Sequence, residues 1–334
     1  MRISEIAKQA NVSSMVVSRV MQGSPNVKPQ DRKRVQDAIK GMKLNAFVSS
    51  GVRKKTGKVF GLIVPRFEDI FHSFYATEII KGVVLAASRL KVDVMIHISE
   101  SKNHEDWLTS NALSPDYIDG ILFADINSDK SQLRKVLARK TPCMVLNNSF
   151  EKEAVNSIAI DNEHAAIVVT DYLLKLGHRN IATIAGELST ESGKMRLEGF
   201  KSAMRAHNLR LSSSYITVGH YLRSPARKAA EILIDLTQRP TAIFCASDVM
   251  AMEAIDVIRH KGLSVPEDIS IVGFDDNPLC AYSPVPLTTV WQPIVEMGRL
   301  GMELLYQIVT GVKKVPVKTL LKTKLIERGS CVKK

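Results

Sequence analysis

Hydrophobic residues in the first forty positions recur at intervals of three and four, which is the spacing of an amphipathic helix. Ser13 is suited to begin a second helix, Ser14 to about Met21, because its hydroxyl can accept a hydrogen bond from the first turn. Pro29 suits the first position of a third helix, where Val35 repeats the apolar spacing. Three short helices with a tight turn between the first two predict a helix-turn-helix module. The apolar face of the first helix comprises Ile3, Ile6, Ala7 and Ala10.

After residue 58 the pattern changes to short runs rich in Val, Ile and Ala, separated by amphipathic helical stretches such as 78–90, 164–177 and 225–236. Continuous apolar strands that alternate with helices predict a parallel sheet covered on both faces. Ten such runs exceed one sheet of ordinary size, so the sequence predicts two doubly wound subdomains. The runs are 59–65, 92–98, 120–125, 143–148, 157–161, 180–186, 215–219, 242–247, 269–276 and 287–293.

Composition and cysteine usage indicate a globular chain with more than one domain. The chain has 334 residues, 45% of them apolar, and it contains no run of about 18 apolar residues that would span a membrane. Its first residues lack the apolar core of a signal peptide. Four cysteines, 102, 35 and 51 residues apart, fit neither a disulfide framework nor a metal site. We therefore expect buried thiols in a reducing cytoplasm, with no membrane partner.

The positive charge of the chain is concentrated at its N-terminal end. Residues 1–58 contain 13 Lys and Arg against 3 Asp and Glu, whereas the other 276 residues contain 33 against 31. The net charge of +12 therefore resides almost wholly in the first sixth of the chain. A small basic module with helical periodicity, attached to a nearly neutral body, points to a polyanionic partner such as nucleic acid.

Sequence motifs of common enzymes are missing. The segment 51–58, GVRKKTGK, does not have the spacing of a phosphate-binding loop, and neither a GxSxG nor an HExxH motif occurs. The eight histidines are scattered, and the adjacent Asp275 and Asp276 are better suited to a binding or turn role than to acid–base catalysis. We expect no catalytic residue, no metal and no cofactor.

Several motifs resemble the lactose-repressor (LacI/GalR) family of bacterial transcription regulators. ISEIAKQANVSSMVVSRVMQG followed by VKPQDRKRVQDAI is similar to the family's headpiece, and VS-x-x-x-VSRV is its most specific part. The resemblance continues in order to the end of the chain and covers nearly all of it. Its further segments are GLIVP, AIDNEHAAIVVTDYLLKLGHRNIATIAG, the R-x-x-GF piece at Arg196–Phe200, SVPEDISIVGFDD, PLTTVWQP and KLIERGSC.

The resemblance implies an α/β fold class, with an N-terminal all-α helix-turn-helix headpiece and two doubly wound parallel α/β subdomains that form a periplasmic-binding-protein-like core. It also implies a homodimer on a palindromic operator and a small-molecule effector between the two lobes. The chain would pass between the lobes near Asp161, near Thr289 and near residue 320. The expected boundaries are 1–44 for the headpiece, 45–58 for the hinge, 59–334 for the core, about 59–160 and 290–318 for the N-subdomain, and about 161–289 and 319–330 for the C-subdomain.

The second predicted helix presents a polar stripe opposite its packed valines. Arg19 can donate two hydrogen bonds to guanine, or it can contact a phosphate. Met15 would contact either a thymine methyl group or a sugar edge. By the resemblance, Val52 stands where relatives insert a minor-groove wedge, with Gly51 the alternative if the chain is offset by one residue. The residues expected to contact double-stranded operator DNA are Ser13, Ser14, Met15, Ser18, Arg19, Asn26, Asn45 and Val52.

Matching the family position by position also implies an effector-binding set. An arginine and a carboxylate flanked by aromatic rings suit a sugar or a sugar acid, and a purine is the alternative. Other roles stay open for three of these residues: helix packing for Tyr75, a salt bridge for Arg196 and loop packing for Tyr221. Phe74 takes the place of Tyr75 if the longer preceding loop shifts the match. The set comprises Phe74, Tyr75, Asn147, Arg196, Tyr221, Ser247 and Asp275.

The sequence thus predicts a cytoplasmic, nucleoid-associated transcription regulator that binds DNA under the control of an effector. A repressor is the first interpretation, and an activator of the same family is the alternative. A solute-binding protein or an enzyme on the same core is a competing hypothesis from a different class. Removing residues 1–58 separates the two classes, since the competing protein would keep its function without them.

Overall fold

The computed structural model describes residues 3–21, 27–38, 57–65, 73–99, 113–126, 131–138, 141–150 and 153–334. The chain divides between Gly57 and Lys58 into two compact units. No helix among the described residues is both long enough and apolar enough to cross a membrane.

The described part of the first unit is helical. It contains α1 (Ile3–Ala10), α2 (Ser14–Met21) and a third helix, α3, which covers residues 29–38. The helices pack through the apolar positions that the sequence pattern identified, and Val12, Val16 and Val20 lie half-buried against them. The buried residues are Ile6, Ala7, Ala10, Val17, Val35 and Ala38.

The second unit alternates strands and helices along the chain, as predicted. The elements of its first half are β1 (Val59–Pro65), α4 (Phe74–Leu90), β2 (Asp93–Ser99), β3 (Gly120–Phe123), α5 (Ser131–Ala138), β4 (Cys143–Leu146), β5 (Ser157–Ile160), α6 (Asn162–Lys175), β6 (Ile181–Ala185) and α7 (Glu191–Ala206). The second half contains β7 (Ile216–Val218), α8 (Arg223–Ile234), β8 (Ala242–Cys245), α9 (Asp248–His260), β9 (Ser270–Val272), α10 (Leu279–Tyr282), β10 (Thr289–Trp291), α11 (Ile294–Val309), β11 (Lys318–Leu321) and β12 (Lys324–Ile326).

Six strands form the sheet of the first lobe, in the order β11-β5-β4-β3-β1-β2, and every neighbouring pair is parallel. Helices α4 and α11 pack against each other, and both contribute side chains to the core on one face of the sheet. Their backbones approach closely, because a Cβ on Gly82 would lie 2.1 Å from the carbonyl oxygen of Val295. Leu113, Ile118 and Phe150 contribute to a second core on the opposite face.

The sheet of the second lobe has four parallel strands in the order β7-β6-β8-β9. Alternate residues of its central strands face opposite sides, as the two-residue period of a strand requires. Ile181 and Ala185 pack with α6 and α7, whereas Ala182 and Ile184 pack with α8 and α9. Helices therefore cover both faces, and the predicted doubly wound arrangement is present.

The chain crosses between the lobes in three places. The first lies between β5 and α6 at Asp161, the second between β10 and α11 at Gln292, and the third between β11 and β12. Strands β10 and β12 pair antiparallel, and bridges from Val272 to Thr288 and from Asp275 to Trp291 join this segment to the second lobe. Parallel strands place their carboxyl ends at one edge of a sheet, so the crossings bring those edges of both lobes together.

Strands β11 and β12 were missing from the predicted runs. Exposed and half-buried residues alternate along β11, because it lies at the edge of its sheet, and β12 has only three residues. Neither shows the continuous apolar pattern of the buried strands. The ten predicted strands are present with their ends shifted by up to four residues.

Candidate functional site: an exposed helix face and an interlobe cleft

The turn between α1 and α2 is fixed by backbone hydrogen bonds. Asn11 has a φ of +50°, a left-handed conformation that asparagine tolerates better than most residues. It lets the Val12 N–H donate to the carbonyl oxygen of Ala7 at 3.0 Å, which satisfies the end of α1. Ser13 then begins α2, and its hydroxyl oxygen accepts from the Val16 N–H at 3.4 Å. The sequence predicted this turn and this cap.

The predicted polar stripe of α2 faces solvent within the first unit. Met15 is 63% exposed, whereas Val17, two residues along the same helix, is fully buried. Ser14 and Arg19 are exposed as well, and Ser18 is half-buried. An exposed methionine beside an exposed arginine forms a face that does not pack against the described helices of this unit. Three of the residues predicted to contact DNA, Asn26, Asn45 and Val52, lie outside the described residues, as does Gly51.

In the first lobe, an aspartate and an asparagine pair at the ends of neighbouring strands. Asp125 follows β3 and Asn147 follows β4, and the Asn147 amide nitrogen donates to the Asp125 carboxylate at 3.3 Å. Asn147 has a φ of +65° and is 4% exposed. Its amide oxygen is buried and has no hydrogen-bond partner in the part of the chain that the structure describes. The hydroxyl of Tyr75 donates to the carbonyl oxygen of Ala124, next to this pair.

In the second lobe, Arg196 is 3% exposed and held from several sides. Its Nε donates to the Asn162 side-chain oxygen at 2.8 Å, and its Nη1 donates to the Ala246 carbonyl oxygen at 2.7 Å. The guanidinium lies 3.5 Å from the ring centre of Phe274, and Nη1 is 3.9 Å from the Asp275 carboxylate. The salt-bridge alternative for Arg196 is therefore present as an ion pair with Asp275, at a distance too long for a hydrogen bond.

Asp275 is held in an unusual backbone conformation by its neighbours. Its φ is +124°, and its N–H donates to the Val290 carbonyl oxygen at 2.8 Å. The Gln292 amide nitrogen donates to its carboxylate at 2.6 Å, and the Gln292 amide oxygen is buried with no partner among the described residues. The adjacent Asp276 instead accepts from Arg328 at 2.7 Å. The two adjacent aspartates thus have different partners, Gln292 and Arg196 for Asp275 and Arg328 for Asp276.

Tyr221 lies across a glycine at the edge of the second lobe. Its φ is +61°, and that of His220 is +54°. A Cβ on Gly186 would be 2.1 Å from the ring, so this position has to be glycine for the tyrosine to lie there. The Tyr221 hydroxyl is 3.2 Å from that of Ser192, and a His220 ring nitrogen is 2.8 Å from Glu187.

Burial shifts the ionisable groups of this cleft. It raises the pKa of Asp125 and that of Asp275 to about 7, although hydrogen bonds from Asn147 and Gln292 and the charge of Arg196 oppose the change. Burial also raises the pKa of Tyr75 and Tyr221. The charge of Asp125 acts on Tyr221 and that of Asp275 acts on Tyr75, so the two lobes face each other here.

The predicted effector residues therefore fall into two groups. Ser247 caps α9, where its hydroxyl oxygen accepts from the Met250 N–H at 3.3 Å, and Phe74 packs against the hydrophobic core. Both have a local structural role in addition to any contact with a ligand. The structure brings the other five together around the facing strand ends: Tyr75, Asn147, Arg196, Tyr221 and Asp275.

Sequence reasoning missed two residues of this cluster, Asp125 and Gln292. Asp125 is the last residue of the predicted strand 120–125, and ligands of parallel sheets bind at the carboxyl ends of strands, so its position carries a signal. Gln292 gives no such signal, because only the fold places it beside Asp275. Among the described residues there is no group of three or more side chains arranged to hold a metal ion.

The lobes are also joined by a hydrogen-bonded contact beside the first crossing. The backbone N–H and the hydroxyl of Ser149 both donate to the Glu191 carboxylate, at 2.6 and 3.0 Å. A cavity of about 510 Å³ lies next to this contact and reaches Phe150, Asn162 and Leu320. Asn162 also accepts from Arg196, so the cavity and the cleft meet at one residue.

Comparison with known proteins decides the family. A model described as bacterial regulatory proteins, lacI family, matches residues 2–44, and a periplasmic binding protein-like domain matches residues 170–331. The HTH-type transcriptional repressor CytR of Escherichia coli (strain K12) is 33% identical over 330 residues, 98% of this chain and 95% of that protein. This chain belongs to the lacI family of bacterial regulatory proteins.

Two further relatives of this lacI-family chain cover it almost completely. Catabolite control protein A of Priestia megaterium is 32% identical over 306 residues, 91% of each chain. The solved complex of the transcriptional regulator CelR with cellobiose has a TM-score of 0.76 at 28% identity and covers 99% of both chains. Membership confirms the predicted class, a transcription regulator with a DNA-binding headpiece and an effector-binding core, which is not an enzyme.

Proposed function

We propose that this protein is a repressor that binds a palindromic operator as a homodimer and responds to a small polyol held between its lobes. The face of α2 is the observation that carries the DNA-binding half of the proposal, since Met15 is 63% exposed beside Arg19. The names of the relatives CytR and CelR, a repressor and a cellobiose-bound regulator, support both halves. Action on DNA would place the protein in the cytoplasm, at the nucleoid.

Base reading and phosphate contact would be divided between α2 and its surroundings. Arg19 suits a guanine edge in the major groove, and Met15 suits a thymine methyl group. Ser13, at the start of the helix, can reach a phosphate without losing its capping role. The net charge of +10 in residues 1–58 would supply affinity that does not depend on sequence and falls as salt rises.

The cleft would be the sensing site. Ligand contacts to both walls would favour one relative position of the lobes, and so one arrangement of the headpieces of the dimer. Tyr75 and Asn147 belong to one wall, whereas Arg196, Tyr221 and Asp275 belong to the other. The Ser149–Glu191 contact joins the same two walls and would respond to the same movement.

The homodimer is supported by exposed apolar side chains on the first lobe. Val84 and Leu85 on α4 are 47% and 45% exposed, and Ile96 on the edge strand β2 is 41% exposed. A second copy that covers this patch would remove it from water, which favours association. An activator of the same family would use the same contacts, since the sign of regulation depends on where the operator lies.

A footprint on the DNA upstream of the protein's own gene tests the proposal. Wild-type protein should protect a two-fold symmetric site at physiological salt. The Arg19→Ala variant should lose at least about tenfold in affinity, the equivalent of 1.4 kcal/mol. Arg205→Ala, which removes an exposed arginine on α7 of the second lobe, is the control and should bind as wild type does.

Deleting residues 1–58 provides the second arm of that experiment. The remaining core should keep its response to small molecules but lose all operator binding. Wild-type protein that shows no preference for this site over random DNA of the same length would overturn the proposal. So would a truncated core that still protects the site.

A further inference from the structure

The cleft contains one acid–amide pair on each side, and the two pairs have the same unmet requirement. Asn147 donates to Asp125 in the first lobe, and Gln292 donates to Asp275 in the second. In each pair the amide nitrogen is used by the carboxylate, so the amide oxygen points elsewhere. Both oxygens are buried, have no hydrogen-bond donor among the described residues, and belong to residues that are only 4% exposed.

Such acceptors are costly when they are left unpaired. A buried acceptor without a donor loses about 1–3 kcal/mol relative to one that is hydrogen-bonded. Two such acceptors, one in each wall of the cleft, therefore favour a ligand that presents hydrogen-bond donors to both lobes. The carboxylates of Asp125 and Asp275 add further acceptor positions when they are ionised.

Among the residues that the structure describes, the charges around this site are mostly negative. The charge of Glu191 acts on Asp125 and that of Asp248 acts on Asp275, and the charge of Arg196 acts on both aspartates in the opposite direction. Two nitrogens of Arg196 already donate to protein oxygens, and its face lies on Phe274. A ligand that carries its own carboxylate or phosphate would meet acceptors and like charge on both walls.

We infer that the cleft selects a polyol rich in hydroxyl or amino donors that carries no negative charge, and that it rejects the matching sugar acids and sugar phosphates. The inference rests on the proposed function, since it specifies the ligand of the same sensing site. The sequence predicted a sugar or a sugar acid as the ligand, and this inference keeps the neutral or amino sugar and excludes the sugar acid. Donors at one end of such a molecule would bind Asp125 and Asn147, and donors at the other end would bind Asp275 and Gln292. The ligand would thus connect the two lobes and draw them together.

Affinity for the two ligand classes should change with pH in opposite directions. The pKa of Asp125 and that of Asp275 lie at about 7 in the free protein. A neutral donor-rich ligand is bound best by ionised carboxylates, so its affinity rises as pH rises through 7. An anionic ligand requires those carboxylates to be protonated, so its affinity rises as pH falls.

Matched compounds test the inference on the full-length protein. The panel sets glucose, galactose, ribose, cellobiose and adenosine beside glucosamine, galactosamine, glucuronate, galacturonate, ribose 5-phosphate and adenosine 5′-monophosphate. Thermal shift identifies the scaffold that stabilises the protein, and calorimetry at pH 6 and pH 8 then compares the members of that set. We expect uncharged or amino members to bind at least about tenfold more tightly than their acids at pH 8.

Variants show whether the carboxylates cause the selection. In Asp125→Asn the preference for the uncharged or amino member over its acid should shrink about tenfold. Asp116→Asn, which changes an exposed aspartate of the same lobe, is the control and should leave the preference unchanged. Stabilisation confined to glucuronate, galacturonate or the phosphates would overturn the inference while operator binding persisted. A panel without any stabilising compound would contradict polyol sensing as well, again without affecting the footprint.

Discussion

At the scale of single residues, the cleft depends on backbone conformations that the sequence does not predict. Asn147, Tyr221 and Asp275 all have positive φ values, which residues other than glycine seldom adopt. Such conformations persist only when surrounding contacts hold them, and they are concentrated at functional sites. The resemblance to the family was sufficient to select these three positions as candidates for the effector site. Their burial and the pairing of each aspartate with an amide could not, because Gln292 reaches Asp275 only through the crossing of the chain.

Burial of Asp125 makes the stability of the protein depend on pH. An aspartate has a pKa of about 3.9 in an unfolded chain, and burial raises the pKa of Asp125 to about 7 in the fold. Between about pH 4 and pH 7, Asp125 is therefore protonated in the folded state and ionised in the unfolded state. The stability that protonated Asp125 contributes is fully present below about pH 4 and declines as pH rises to about 7.

The Asp125→Asn variant should remove this dependence. Calorimetric unfolding of wild type and variant from pH 5 to pH 8 should give a melting-temperature difference that moves in favour of the variant up to about pH 7. It should then stay level. Asp116→Asn is the control, since this aspartate is exposed. A difference between Asp125→Asn and wild type that is the same at every pH would contradict the assignment.

At the scale of elements, hydrophobic spacing predicted most helices and strands because burial decides their pattern. The strands of the two parallel sheets are covered on both faces, and so they read as continuous apolar runs. Edge strand β11 has one exposed and one half-buried side, and its mixed pattern of apolar and polar residues does not predict a strand. The helix-turn-helix could be predicted in detail because both of its signals are local: Asn11 ends α1 and Ser13 begins α2.

Helix α2 should separate stability from recognition at neighbouring positions. Val17→Ala removes buried side-chain volume and should lower the stability of the headpiece by about 1–3 kcal/mol. Met15→Ala changes an exposed side chain and should alter that stability by less than about 0.5 kcal/mol. Hydrogen exchange of the α1 and α2 amides in the full chain measures both effects.

Binding to a series of operator variants gives the complementary result. Met15→Ala should change the preferred base at one position of each half-site and leave the others as in wild type. Val17→Ala should weaken all sites alike, because it lowers the folded fraction of the module. A Met15→Ala protein with an unchanged preference at every position would show that α2 does not read bases through this residue.

At the scale of the whole molecule, one chain combines a basic helical unit with a two-lobed core, and family membership assigns DNA binding and effector binding to these two parts. Charge distribution and motif order were sufficient to predict this division of labour. The identity of the ligand is a finer property, because it depends on how the acid–amide pairs of the two lobes face each other. The coupling between the cleft and the headpiece is the central claim that remains to be measured.

Operator affinity in the presence and absence of the ligand tests that coupling most directly. The probe is the panel compound that gives the largest thermal shift, added at saturation to full-length protein with a fluorescent operator. Allosteric coupling of about 1–3 kcal/mol predicts a change in operator affinity of roughly 5–150-fold, in either direction. Asp125→Asn should reduce that change at the same compound concentration. Identical operator affinity with and without a compound that demonstrably occupies the cleft would contradict the account.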